Sequence, residues 1–151
     1  MLPEYQAIAF DKIIEKGGRT NPWLVLVDTG SGIKPYVAKM FTTDLIENRD
    51  SVTNEVLGNI LAKAFDLPVP EAALIHMGES FRQKISSPEA QIAYDLADER
   101  IKFGSALIEG NYLFNSAFTK VQAGKMVDLD TLFAFDNLIL TRPEKTIHVS
   151  E

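Results

Sequence analysis

The 151-residue chain contains no cysteine, two histidines and one tryptophan. Without cysteine the chain cannot form a disulfide, a zinc–thiolate site or an iron–sulfur centre, and it has no cysteine nucleophile. Acidic residues outnumber basic ones by 21 to 15, which gives a net charge of −6 at pH 7. Nucleic-acid binders carry basic patches or stripes, and no basic run occurs here. We therefore expect no nucleic-acid partner.

Long apolar runs are missing as well. No stretch approaches the roughly 20 apolar residues of a membrane-spanning helix, and the N-terminal segment lacks the charged and apolar regions of a signal peptide. The composition, with 46% hydrophobic and 24% charged residues, is typical of one globular domain or of two small lobes. These observations predict a cytoplasmic protein with no membrane partner.

The first forty residues have the pattern of three strands. Apolar and β-branched residues fill 5–14, 23–27 and 35–41, and turn-forming residues separate these segments. Strands joined by short loops are expected to pair antiparallel. Two further strands are predicted at 72–77 and 103–108.

Helical periodicity begins after the third strand. A cap at Thr43 or Asp44 and an apolar stripe starting at Val52 predict one helix, which two prolines in residues 66–70 must end. A serine cap followed by Pro88 predicts a second helix over 90–98, whose acidic end, 94–99, is expected to form a solvated face. A third helix is predicted over 127–140, capped near Asp128 or Asp130.

Lys39 is the most informative single residue. On a strand it shares a face with Val37 and Phe41, where an ammonium costs free energy unless an anion meets it or its head reaches water. Glu55 follows 16 residues later, about two turns into the predicted helix. If that helix packs on the face of the sheet that carries Lys39, the two side chains can meet, and such a pair holds a lysine ready for polyphosphate oxygens.

A glycine-containing turn lies between the first two strands. Gly17 and Gly18 would let backbone N–H groups approach a phosphate, and Arg19 could add a charged contact. The pattern matches neither a dinucleotide fingerprint nor a Walker loop, and two glycines in a hairpin are more often only a turn.

The order of these pieces resembles the N-terminal lobe of the HipA-like kinases, bacterial relatives of protein and lipid kinases. Each piece is short, and together they extend over roughly residues 5–140. The segments that carry the resemblance are residues 36–39 (YVAK), 54–57 (NEVL), 67–70 (LPVP), 103–110 (FGSALIEG) and 135–139 (FDNLI).

The resemblance implies an α+β fold in which an antiparallel sheet with a packed helix, like a protein-kinase N-lobe, is followed by C-terminal helices. Residues 1–110 would form this N-lobe, and residues 111–151 would form the start of a C-lobe with a divergent tail. ATP would be the ligand. The residues implied at its site are Lys39 on the phosphates, Glu55 holding Lys39, Gly17, Gly18 and Arg19 in a phosphate-covering loop, Ala38 and Ile108 against the adenine, and the backbone near Glu109.

The sequence departs from the family after residue 140. Family members continue into a catalytic aspartate, a metal-binding asparagine and a second metal-binding aspartate, whereas no aspartate follows Asp136 and no asparagine follows Asn137 here. Magnesium ligands and a nucleophile-orienting group are thereby missing. We expect an ATP-binding relative without phosphotransfer activity or a built magnesium site. Two other interpretations stay open: a non-enzymatic module that binds a protein partner or itself, and a fragment or frameshifted form of an enzyme.

Overall fold

The computed structural model describes residues 1–15, 21–108 and 128–140. Its strands are β1 (Glu4–Ile13), β2 (Trp23–Asp28), β3 (Ile33–Ala38), β4 (Ala72–His76) and β5 (Lys102–Ala106). Its helices are α1 (Thr43–Glu47), α2 (Ser51–Ala64), α3 (Glu79–Arg82), α4 (Pro88–Leu96) and α5 (Leu129–Leu140). The chain divides into two compact units, Met1–Asn59 with Pro70–Asn111 and Ile60–Val69 with Tyr112–Glu151. The division at residue 110 implied by the kinase resemblance stays a prediction.

The five strands form a closed barrel in the order β1-β2-β3-β5-β4. The predicted antiparallel pairing of neighbouring strands is confirmed for β1 with β2 and for β2 with β3. Closure comes from β1, which also pairs with β4 in the parallel direction, with Glu4 opposite Leu74 and Gln6 opposite His76. The predicted antiparallel sheet with a packed helix, like a kinase N-lobe, is therefore wrong.

Two features of the strands explain why this sheet closes. The register of β1 against β2 shifts between Ala7 and Ala9 and again between Phe10 and Lys12, and such irregularities bend a strand. The inward positions also include small residues, among them the buried Ala7, Ala38, Ala73 and Gly104. A narrow five-stranded barrel has little interior volume, so small side chains must stand beside the large ones.

The core fills the barrel and continues under two helices. Trp23, Tyr36 and Ile75 are fully buried inside it, and Phe81 of α3 packs against Tyr94 of α4 with ring centroids 6.1 Å apart. Ser87 caps α4 as predicted, because its hydroxyl accepts the N–H of Ala90 at 3.3 Å.

The helix predicted after β3 is divided into α1 and α2. Asp50 has a φ of 48° at the break, and α2 then runs to Ala64. The predicted stop is confirmed: Asp66 has a φ of 54°, and the N–H of Leu67 returns to the carbonyl of Ala62 at 2.9 Å. Only Ala62 of α2 is buried, which shows that the helix does not pack tightly along its predicted stripe.

The second unit is described through residues 60–69 and 128–140. Of the two caps predicted for α5, Asp128 is the one observed. Its carboxylate accepts hydrogen bonds from the N–H groups of Asp130 and Thr131 at 3.1 and 3.3 Å, and from the Thr131 hydroxyl at 2.8 Å. These bonds lower the pKa of Asp128. Phe65 and Phe135 meet edge to face within this unit, with centroids 5.9 Å apart.

Candidate functional site

Lys39 lies directly after β3, at the point where the chain leaves the barrel. Its backbone N–H donates to the carbonyl of Phe103 at 2.9 Å, so the residue is still held against β5. The preceding residue, Ala38, is fully buried in the barrel. Because successive strand residues face opposite sides, Lys39 belongs to the outer surface of the barrel.

Glu55 meets Lys39 from the second turn of α2. The Lys39 Nζ and Glu55 Oε1 atoms are 3.4 Å apart, and the two side chains are 29% and 34% exposed. The contact predicted between these residues is therefore present. An ammonium has three N–H donors, and one carboxylate oxygen at this distance leaves the others able to meet a second anion.

Of the other residues implied by the resemblance, Ala38 and Ile108 lie within the described part of the chain. Ala38 has no exposed surface, since it belongs to the core, and Ile108 is 51% exposed. The predicted adenine contacts of these two residues stay untested. The remaining implied residues lie outside the described part of the chain: Gly17, Gly18, Arg19 and Glu109.

A charged cluster that the sequence analysis missed stabilises the segment before β5. Asp98, expected on a solvated face, is only 5% exposed and accepts hydrogen bonds from Arg100 Nε at 2.8 Å and from its terminal nitrogen at 2.7 Å. Lys102 is 3% exposed, and its Nζ donates to the carbonyl oxygens of Asp98 and Arg100. The N–H of Asp98 donates to the carbonyl of Phe41 at 2.9 Å, which ties this segment to the chain just beyond Lys39.

The surroundings of this cluster lower the pKa values of Asp98 and Lys102. Hydrogen bonds from Arg100 hold the pKa of Asp98 well below its usual range, although burial opposes the shift. Burial lowers the pKa of Lys102. The sequence signal that could have identified the cluster is an aspartate two residues before an arginine, because an aspartate side chain often accepts the backbone N–H two residues on, as that of Asp98 accepts the N–H of Arg100 at 2.8 Å.

The Asp98–Arg100 pair predicts a pH dependence of stability. Since the folded-state pKa of Asp98 lies below its unfolded value of about 3.9, its carboxylate stabilises the fold above that pH and loses this contribution as the pH falls further. Arg100→Ala removes the main cause of the lowered pKa and leaves the burial that opposes it. The midpoint of acid unfolding, followed by circular dichroism, should therefore move to higher pH.

Arg82→Ala is the matched control for Arg100→Ala. Arg82 also binds a carboxylate through two hydrogen bonds, at 2.7 and 2.8 Å, but its partner Asp95 is 50% exposed. Water can solvate Asp95 once the arginine is removed. The midpoint of acid unfolding should therefore move less in Arg82→Ala than in Arg100→Ala. Equal shifts in the two variants would contradict the role given to the burial of Asp98.

A cavity of about 820 Å³ opens at one end of the barrel, between the ends of β1 and β2 and the helix α4. Phe10, Trp23, Met40 and Leu96 are among its lining residues, whereas neither Lys39 nor Glu55 lines it. The lining residues come from separate segments of the chain, and no local motif joins them. The sequence analysis consequently gave no sign of this cavity.

Neither a cluster of metal-ligating side chains nor a membrane-spanning helix occurs among the described residues. Residues 1–15, 21–108 and 128–140 contain no group of three or more His, Cys, Asp or Glu side chains placed to hold a metal ion. Within the same residues, none of the helices has both the length and the apolar character needed to cross a bilayer.

Comparison with known proteins adds no relative to this description. No protein-family model, curated protein or solved structure matches the chain. The candidate site is therefore interpreted from its own geometry.

Proposed function

We propose that this protein is related to the HipA-like kinases and binds the phosphate groups of ATP at Lys39, without transferring a phosphoryl group. The observation that supports this proposal is the 3.4 Å contact between Lys39 Nζ and Glu55 Oε1. The proposal includes a cytoplasmic location, where ATP is available.

The half-buried state of the pair suits a phosphate site. An exposed lysine would sample many rotamers, whereas Glu55 restricts the Lys39 side chain and lowers the entropy lost when a ligand binds. The Lys39 side chain as a whole is still 29% exposed, so it is in contact with solvent. A local cation of this kind matters because the chain carries a net charge of −6 and repels polyphosphates overall.

Charge determines the ligand preference expected at this site. Lys39 supplies a cation that Glu55 holds, and each added phosphate group strengthens the attraction to that cation. Affinity should then follow the number of phosphates more than the base, in the order ATP, ADP, AMP. Inorganic tripolyphosphate should compete with ATP.

Thermal unfolding in rising Mg·ATP tests the proposal. A ligand at 100 times its Kd stabilises a protein by about 2.7 kcal/mol, which for a chain of this size raises Tm by about 5–10 °C. The rise should saturate, and Lys39→Ala should remove it. Glu55→Gln should weaken it, since the amide holds the lysine less firmly than the carboxylate does.

Lys34→Ala is the matched control, because Lys34 lies on β3 and also contacts a glutamate, Glu71, at 3.6 Å. Its side chain is 50% exposed and lies at the other end of the strand, so this variant should keep the ATP-dependent rise. No rise with ATP up to millimolar concentrations, or an equal loss in Lys34→Ala and Lys39→Ala, would overturn the proposal.

The second candidate function is a non-enzymatic module that binds a protein partner or a second copy of itself. Ile92 and Leu96, four residues apart on α4, are 63% and 70% exposed, and neighbouring apolar side chains in that state are typical of contact surfaces. Concentration-dependent sedimentation that Ile92→Lys abolishes would favour this function, and a monomer at all concentrations would exclude self-association.

A further inference from the structure

The cavity at the barrel end has an aromatic floor and aliphatic walls. Phe10 and Trp23 meet edge to face with centroids 4.8 Å apart, and Met40, Leu45 and Leu96 line the space around them. Leu96 is 70% exposed, so one wall presents apolar surface to solvent. Replacing the water at such a lining with an apolar group lowers the free energy of the system and so favours binding.

The size of the cavity corresponds to a small organic molecule. Ligand pockets typically measure about 300–1,000 Å³ and are common at the mouths of β-barrels, and this cavity measures about 820 Å³. Lys39 and Glu55 are absent from its lining, so the cavity and the proposed phosphate site share no residue.

The charged side chains of the lining are mostly anionic, and its neutral polar residues, Asn21, Thr42 and Ser87, can both donate and accept hydrogen bonds. Glu15 and Glu89 contribute two carboxylates, which outnumber the one ammonium, from Lys12. All three of these side chains are exposed, so they lie where a polar head group would meet solvent. An ammonium carries only donors and is the complement of such a rim.

We propose that this cavity binds a small amphipathic amine. Its apolar body would lie against Phe10 and Trp23, and its ammonium would meet the carboxylates of Glu15 and Glu89. An anionic ligand of the same size would meet two carboxylates and only one ammonium at this rim.

Trp23 provides a direct measurement, because it is the only tryptophan in the chain and lines the cavity. The probes are octylamine, octanol and octanoate, which share one alkyl chain and differ in the charge of the head group. Octylamine should change the Trp23 emission in a saturable manner, with a Kd at least tenfold lower than that of octanoate. Octanol should bind more weakly than the amine.

The double variant Glu15→Gln/Glu89→Gln tests the role of the rim. The Kd of octylamine should rise about tenfold in this variant. The Kd of octanol should stay unchanged, because its alkyl chain still contacts the same aromatic residues. Glu99→Gln is the control, since Glu99 is exposed and lies outside the cavity lining. Circular dichroism of each variant confirms that the fold is retained.

Three outcomes would overturn the proposal. One is an unchanged Trp23 emission with all three probes up to millimolar concentration. Another is octanol or octanoate binding as tightly as octylamine, which would show an apolar cavity without selection for an amine. The third is an equal loss of octylamine binding in Glu99→Gln and in the double variant.

Discussion

Replacing Phe81 with alanine should lower the free energy of unfolding by about 3–5 kcal/mol. Phe81 has no exposed surface and is the one buried residue of α3, a helix of four residues that adjoins the barrel. Removing the ring leaves a cavity against Tyr94, whose centroid lies 6.1 Å away. Because a domain has only about 5–15 kcal/mol of stability in total, this variant should lie close to the limit of folding. Urea denaturation measures the change.

Ile92→Ala is the control for this prediction. Ile92 lies on α4 and is 63% exposed, so its loss removes little buried surface. We expect a change within about 0.5 kcal/mol, as for most surface substitutions. A Phe81→Ala variant as stable as Ile92→Ala would mean that α3 does not contribute to the core.

Gly104→Ala should destabilise the barrel by about 1–3 kcal/mol, the usual cost of overpacking a filled core. A Cβ atom at Gly104 would overlap the Cδ1 atom of Ile75 and lie 3.0 Å from its Cγ1 atom. Ile75 is fully buried and packs in the core cluster, so it has little room to move away. Chemical denaturation of the variant gives the magnitude.

A second substitution identifies the cause. Ile75→Val removes the overlapping Cδ1 atom and by itself costs about 0.5–1.5 kcal/mol. If steric overlap is the mechanism, the double variant should lose less stability than the sum of the two single variants. Additive losses would show that the effect of Gly104→Ala lies elsewhere.

Gly58→Ala provides a matched glycine. Gly58 lies inside α2. A Cβ atom there would have no atom within 4 Å other than those of its chain neighbours and of the nearby backbone of its own helix. Alanine favours a helix interior over glycine by about 0.5–1 kcal/mol, so this variant should be more stable than the original chain. The two glycine-to-alanine changes are thus expected to have opposite signs.

Local structure follows closely from the sequence of this chain. Alternating and continuous apolar segments placed the five strands to within a few residues, and the Ser87 and Asp128 caps marked the starts of two helices. The contact between Lys39 and Glu55 was also predictable. It depends on two neighbouring elements and on a short connection between them, which local patterns describe well.

Tertiary structure alone decided how the strands close. The parallel pairing of residues 4–6 with residues 74–76 joins segments 70 positions apart, and apolar periodicity does not state which strands become neighbours. Apolar periodicity also does not show whether a sheet stays open, because an edge strand of an open sheet and a strand of a closed barrel have the same alternation of apolar and polar residues. The predicted kinase-like sheet failed for this reason.

The burial of charged side chains and the shape of the cavity were also decided by tertiary structure. Asp98 and Lys102 look like ordinary surface residues in the sequence, and they are buried because each finds partners as the segment before β5 folds. Phe10 and Trp23 meet through the pairing of β1 with β2, and the cavity forms because α4 brings Leu96 beside them. The sequence by itself determined the strands, the end of α2 and the caps of α4 and α5, whereas tertiary contacts decided which faces were filled and which remained exposed.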